Sequence, residues 1–255
     1  MIAGTLSRET SILNDVQAAL GDRYAGAFDR TVTHVPRDSV IELSNVMRAS
    51  TADLVLTVGG GTCIDTVKMA LVCLAEDITQ PDGLEAFAIR VNDVGERETP
   101  YIKPPPLRQV AAPTTLSGAE FSDLSGCVDT TAQVKQLFSG SEIGPAAVIL
   151  DPAITVHTPP DLWLSTGVRA IDHAVETLCS SEAMALTDAG ALHAIRLLGK
   201  SLLANHADPD DQAARLDSQV AVSLACTGLN RVAYGASHGI GHQLGAVAGV
   251  PHGYT

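Results

Sequence analysis

Three histidines crowd the stretch GASHGIGHQLGAVAGVPHG. His238 and His242 are four residues apart, so on a helix they share a face, and His252 lies beyond a Gly249–Pro251 turn able to fold back. A fourth, His173, sits in TGVRAIDHAVE. Imidazole titrates near neutral pH and ligates divalent metals, so four such groups suit either a metal site or a proton-handling site. Gly239, Gly241 and Gly245 make the segment a poor helix by propensity. Such a helix is tolerated where backbone or ligand must come close. His34, His157, His193 and His206 stand apart and read as ordinary structural histidines.

A second chemical feature is GGGTCIDTVK, Gly59 to Lys68. It is neither a P-loop nor a G-x-G-x-x-G fingerprint. Its physics is similar, because residues without Cβ let a phosphate approach the backbone. The helix start that follows offers unbonded N–H groups and the positive end of a dipole. The plainer alternative is a tight turn with a capping-box variant between Thr62 and Asp65. PTTLSGAE, Pro113 to Glu120, also follows a strand. There Thr114, Thr115 and Ser117 either donate hydrogen bonds to a nucleotide at the strand's C-terminal edge or form a polar turn.

These residues need elements to position them. MIAG reads as the end of a strand, Ser7 to Leu20 as a helix, and Arg30 to Val35 as a strand stopped by Pro36. Asp38 to Ala49 has helical apolar spacing. Leu54 to Val58 is a short apolar run suited to a strand buried on both faces, with a helix from Thr62 to Leu74 after the glycines. Residues 76–108 are loop-rich with one short helix. Arg108 to Thr115 is a strand, SGCVDTTAQVKQLF a hairpin-like pair, and Ala146 to Pro152 a last strand. From 160 onward only helices are expected: 160–180, 182–205, 209–230 and 233–248. Strands first and helices after predict an α/β domain over 1–155 and an all-α domain over 156–255.

The chain has 255 residues, 45% apolar and 18% charged, enough for a sizeable core. Its net charge is −13, with lysines only at 68, 103, 135 and 200. Nucleic acid and anionic membranes are therefore poor partners, since phosphate surfaces need clustered cations. Five scattered cysteines without a C-x-x-C pair predict reduced core thiols and a cytoplasmic location. No apolar run reaches the roughly 20 residues of a membrane span. No basic leader precedes a long apolar stretch, so no signal peptide is expected.

The motifs GGGTCIDTVK, PTTLSGAE, VKQLF before ILDP, DPAITVHTP, TGVRAIDHAVE and HGIGHQLGAVAGVPHG occur in one order. In that order they resemble the iron-containing alcohol dehydrogenase family, which also includes glycerol dehydrogenases and maleylacetate reductases. The resemblance covers nearly the whole chain. It implies a dehydroquinate synthase-like architecture: a Rossmann-like parallel sheet that binds NAD(H) or NADP(H), then a helical catalytic domain, with the active site between them. It assigns Gly60, Gly61 and Thr62 to the pyrophosphate, and Asp65, Thr114, Thr115 and Lys135 to the rest of the cofactor set. Homodimers are the family expectation. Relatives begin with another strand before MIAG and continue through more helices after PHGYT, so a first strand and C-terminal helices are expected to be missing.

In metal-dependent members of the family one Asp and three His bind the ion. The His positions match His173, His238 and His252, but the Asp position is Arg169. A guanidinium about 4 Å from a cation repels it by roughly 4 kcal/mol per unit charge at an effective dielectric of 20, so a divalent metal is not expected. Asp172 is the fallback as a displaced ligand. The maleylacetate reductase branch also lacks the Asp, and PTTLSGAE looks more like its version. The resemblance thus implies NAD(P)H-dependent reduction of a small oxo-acid, maleylacetate to 3-oxoadipate in aromatic-compound degradation. Hydride would come from nicotinamide and the proton from His238 or His242, with His173 and His252 bonding the substrate. Arg169 either pairs with a substrate carboxylate or forms an ion pair with Asp172 or Glu176. The alternatives are a metal-dependent (Fe or Zn) alcohol dehydrogenase and an inactive fragment. Ala3 to Thr5, where the ribose should lie, has no acidic residue to exclude a 2′-phosphate.

Overall fold

The computed structural model describes residues 2–3 and 6–248. Two compact units emerge. One comprises residues 1–112 and 123–148, the other 113–122 and 149–255.

The first unit is α/β. Its helices are α1 (Leu6–Glu9), α2 (Ile12–Leu20), α3 (Arg37–Ala49) and α4 (Gly61–Ala75). Its strands are β1 (Ile2–Ala3), β2 (Leu54–Gly59), β3 (Arg90–Val91), β4 (Arg97–Glu98), β5 (Arg108–Pro113), β6 (Leu124–Asp129), β7 (Val134–Ser139) and β8 (Ala147–Val148). A four-stranded sheet runs β1-β2-β5-β8, with β1–β2 and β5–β8 parallel. This is the Rossmann-like sheet that strand–glycine–helix patterning predicts. β6 and β7 form the expected antiparallel hairpin, paired from Leu124–Ser139 to Asp129–Val134. The apolar face of α3 places Val40, Leu43 and Met47 against the sheet unit's cores, and α4 is buried along most of its length.

Four local expectations change. The helix over 7–20 is broken at Thr10, whose hydroxyl donates to Leu6 O (2.6 Å) and accepts from Ile12 N (3.3 Å), capturing the turn locally. No strand forms over 30–35. His34 and Val35 have φ of 67° and 56°, a left-handed backbone no strand contains. Val128 N donates to Val35 O (3.0 Å), and a single parallel bridge, Pro36–Val128, is all the pairing there. The last strand shortens to two residues, because Asp151 accepts from Ala153 N (2.9 Å) and caps a short helix, α5 (Pro152–Thr155). The loop-rich region holds its one short helix, the 3-10 helix Pro81–Phe87, and gains the small β3–β4 ladder.

The second unit is helical: α5, α6 (Pro160–Cys179), α7 (Ala185–Ala207), α8 (Gln212–Ala225) and α9 (Ala236–Ala248). Its core alternates Trp163, Leu198 and Leu116 with Ala170, Ala174, Ala191, Ala194, Ala221 and Ala225. The alanines let α6, α7 and α8 pack closely. Trp163 Nε1 donates to Asn205 Oδ1 (3.0 Å), and the buried Arg215 guanidinium lies 4.6 Å from the indole centroid. The partition differs from a cut at 155/156. Segment 113–122 joins the helices through Thr158 Oγ1 to Thr114 O (2.6 Å), Leu116 N to Thr166 Oγ1 (3.1 Å) and Gln219 Nε2 to Pro113 O (3.3 Å). Among the described residues no helix is long and apolar enough to cross a membrane.

Candidate functional site

In the α/β unit, β2 ends at the glycine turn. A Cβ on Gly59 would lie 2.7 Å from Cys63 Sγ, so the turn packs too tightly for any side chain there. Gly60 caps α4 with its carbonyl, accepting from Cys63 N (3.0 Å) and Ile64 N (3.3 Å). Gly61 and Thr62 therefore stand in the first turn, where helix N–H groups have no intrahelical acceptor. That is the donor set a pyrophosphate takes.

One turn further on, Asp65 faces two cations. Lys68 Nζ is 3.6 Å from its carboxylate and donates to Leu124 O (2.8 Å). Burial pushes the Asp65 carboxyl up, and Lys68 and Lys135 oppose that rise. Lys135 crosses Gly126, whose Cβ would sit 2.4 Å from its Cε. Asp65 and Lys135 are thus brought together, with Lys68 as the member sequence reading missed. The signal was a lysine inside the apolar run VKMALVCL. Thr114 and Thr115 are buried in the other unit, where Thr114 O accepts from Thr158 and Thr115 Oγ1 lies 3.3 Å from Ser117 Oγ.

In the helical unit, α6 projects Arg169, Asp172, His173, Glu176 and Thr177 along one side, at the three- and four-residue spacings that share a helix face. His238, in the first turn of α9, meets them. Its Nε2 lies 2.9 Å from His173 Nδ1. Its Nδ1 bonds Glu176 Oε2 and lies 3.4 Å from Asp172 Oδ2. Glu176 Oε1 also accepts from Ser237 N (3.0 Å), so one carboxylate satisfies a first-turn N–H of α9 and orients its histidine. Arg169 is buried, and its Nη1 donates to Asp172 Oδ2 (2.8 Å). Burial pulls the guanidinium's pKa down, against the pull of Asp172, Glu176 and Tyr234. Of the two readings for Arg169, this geometry is the ion pair with Asp172. The His242 side chain and all of His252 lie outside the described residues.

Tyr234 completes the group. Its ring is edge-on to His238 (centroids 4.5 Å, 64°) and tilted on His173 (5.9 Å, 42°). Its hydroxyl is 3.2 Å from Thr177 Oγ1. Glu176 and Tyr234 were missed as site residues. HAVE held the first at helical spacing from His173, whereas nothing local marked the second.

The Asp-plus-three-His donor set does not fit this arrangement. A guanidinium fills the Asp position, and His238 spends Nδ1 on Glu176 and Nε2 on His173. A different trio, Asp172, Glu176 and His238, has ligand atoms within 4.8 Å of one another. Its members are already engaged with Arg169 and with each other.

Residues 1–152 match the family described as iron-containing alcohol dehydrogenase, and residues 163–255 match its C-terminal domain. The chain is 35% identical to Dehydrogenase ALT3 of Alternaria alternata, over 96% of this chain and 66% of that protein. It is 27% identical to the Maleylacetate reductase of Sphingobium indicum, over 94% of this chain and 59% of that protein. It therefore spans roughly three fifths of the length of these relatives. Among solved structures, sulfoacetaldehyde reductase from Bifidobacterium kashiwanohense, in complex with NAD+, superposes with a TM-score of 0.85 at 23% identity, covering 99% of this chain and 64% of that one.

Proposed function

The chain belongs to the iron-containing alcohol dehydrogenase family, and from that footing we propose that it is an NAD(P)H-dependent, metal-independent reductase of a small oxo-acid such as maleylacetate. The observation that carries this reading is the Arg169–Asp172 pair (2.8 Å) beside the His173–His238 couple (2.9 Å). Where metal-dependent relatives need an anionic ligand, this chain keeps a fixed cation.

Gly60, Gly61 and Thr62 would hold the pyrophosphate, with Asp65 and Lys135 near the same turn. The nicotinamide supplies a hydride when bound. The chain's own task is the proton. With Nδ1–H of His238 donating to Glu176, its Nε2 accepts from Nδ1–H of His173. A proton reaching the pair is then shared along carboxylate, imidazole and imidazole, and the far nitrogen of His173 is where it is delivered. His173 becomes the preferred acid, with His238 and Glu176 behind it. Arg169 holds Asp172, so an ion pair stands where a metal-dependent relative would place a lone anionic ligand. A homodimer in the cytoplasm belongs to the same proposal.

A second reading, a metal-dependent alcohol dehydrogenase, draws on the Asp172–Glu176–His238 trio. NADH and NADPH oxidation with maleylacetate, set against simple aldehydes, on chelator-dialysed protein separates the two. Turnover of the oxo-acid without metal is expected. One tightly held Fe or Zn per chain, with activity on aldehydes, would establish the second reading. Absence of cofactor binding at millimolar NADH and NADPH, followed by cofactor fluorescence, would identify an inactive fragment.

A further inference from the structure

Tyr234 lies on the connection between the 3-10 helix Cys226–Gly228 and α9. Thr177 donates its hydroxyl proton to the carbonyl of His173 (2.8 Å). A hydroxyl has one proton, so the 3.2 Å contact between Thr177 Oγ1 and the Tyr234 hydroxyl is filled by the tyrosine's proton. The phenol is thereby committed inward, to the helix that carries His173. Burial also pushes its pKa well above the ordinary value. The ring meanwhile touches both imidazoles, whose own centroids are 4.7 Å apart and tilted by 40°. Rotation of either imidazole about its Cβ–Cγ bond would break the 2.9 Å bond between them. The tyrosine ring stands beside both imidazoles, 4.5 Å from His238 and 5.9 Å from His173 between centroids.

Gly228 is part of the same device. A Cβ there would sit 2.1 Å from Thr177 Oγ1 and 2.8 Å from its methyl. Only glycine lets the threonine hydroxyl stand where Tyr234 can reach it. The connection is held at a second point, where Ala233 N donates to Glu182 Oε2 (3.0 Å).

We infer that Tyr234 is a positioning residue for the His173–His238 couple, acting by its ring on both imidazoles and through Thr177 on the backbone of His173, and that it is not itself a proton donor to substrate. The inference rests on the reductase reading for its kinetic consequence but on geometry alone for its structural one.

The experiment uses Y234F, Y234L, T177V and the double variant Y234F/T177V in the full chain, with two readouts. The first is kcat and KM for the oxo-acid. Y234F and T177V should each lower kcat about tenfold and leave KM within about twofold, a modest misplacement on the scale by which about 1 Å costs roughly a hundredfold. The double variant should be no worse than either single one, because both remove the same link. Y234L should lose about a hundredfold. The second readout is the ring signals of His173 and His238 in protein labelled with 13C at histidine Cε1, assigned with H173Q and H238Q. Y234F should move both signals and Y234L should move them further. A loss of a thousandfold or more in Y234F beside an unchanged T177V would make the phenol the acid and overturn the inference. So would multiplicative effects in the double variant, or unmoved ring signals in Y234L. If no substrate is turned over at all, the reductase reading fails, and the ring signals still decide whether Tyr234 positions the pair.

Discussion

His238 and His173, 65 residues apart in the chain, share a hydrogen bond of 2.9 Å between Nε2 of the first and Nδ1 of the second. The bond leaves the two rings a single tautomeric order once Glu176 accepts from the other nitrogen of His238. The expected outcome of H173Q or H238Q is a fall in kcat of about 10²–10⁴-fold, the range of a lost general acid. The double variant should fall no further than the worse single one. Cofactor binding, followed by NAD(P)H fluorescence, should be largely retained, because the first-turn N–H groups of Gly61 and Thr62 are untouched by either change.

Arg169 and Asp172 form the site's fixed charge pair. R169M should destabilise the protein by about 1–3 kcal/mol. This is below the 3–5 typical of breaking a fully buried pair, because Asp172 retains some exposure and is partly screened. R169M/D172N should recover part of that loss, since neither charge is then left alone. Urea unfolding of the three variants measures it. R169D should in addition raise retention of zinc after dialysis, by restoring an anionic ligand beside His173 and His238.

Two glycines in the helical unit should respond oppositely to alanine. Gly199, in the middle of α7, has open space where a Cβ would go. G199A should stabilise by about 0.5–1 kcal/mol through the helix-interior preference. Gly228 has Thr177 at 2.1 Å, so G228A must displace that side chain, lowering both the melting temperature and kcat. Thermal unfolding of both proteins checks the contrast, and equal shifts would contradict it.

Cys73 and Cys127 are buried, and burial pushes both thiols up from about 9 to about 12. The native state therefore keeps protons that the unfolded chain loses. Their contribution to stability is whole below pH about 9 and is lost progressively as pH rises from there toward 12. The melting temperature should fall across that window, and C73A/C127A should flatten the fall after its own cavity cost. At pH 8 a thiol reagent should modify Cys179 first, the one exposed cysteine, which departs from the core placement expected of all five.

Much of this protein was legible residue by residue. The β2–glycine–α4 unit, the β6–β7 hairpin and the run of helices after 160 all follow from local periodicity and turn chemistry. These signals act over a few residues and are written in consecutive side chains. The presence of Arg169 where the resemblance places an Asp in metal-dependent members was equally plain. Its role was not. A guanidinium on α6 can reach a substrate carboxylate or a neighbouring carboxylate, and only the 2.8 Å contact with Asp172 decides between them. The strand expected over 30–35 failed for a related reason. Its β-branched residues favour extended backbone, but Val35 O meets Val128 N from 93 residues away and the chain takes two left-handed residues to get there. Tyr234, Thr177, Glu176 and the ring nitrogens of the two histidines likewise become one site only when α9 docks on α6. Which atom of an imidazole meets which partner depends on that docking distance and rotation. No pattern of types and spacings along one helix carries this information.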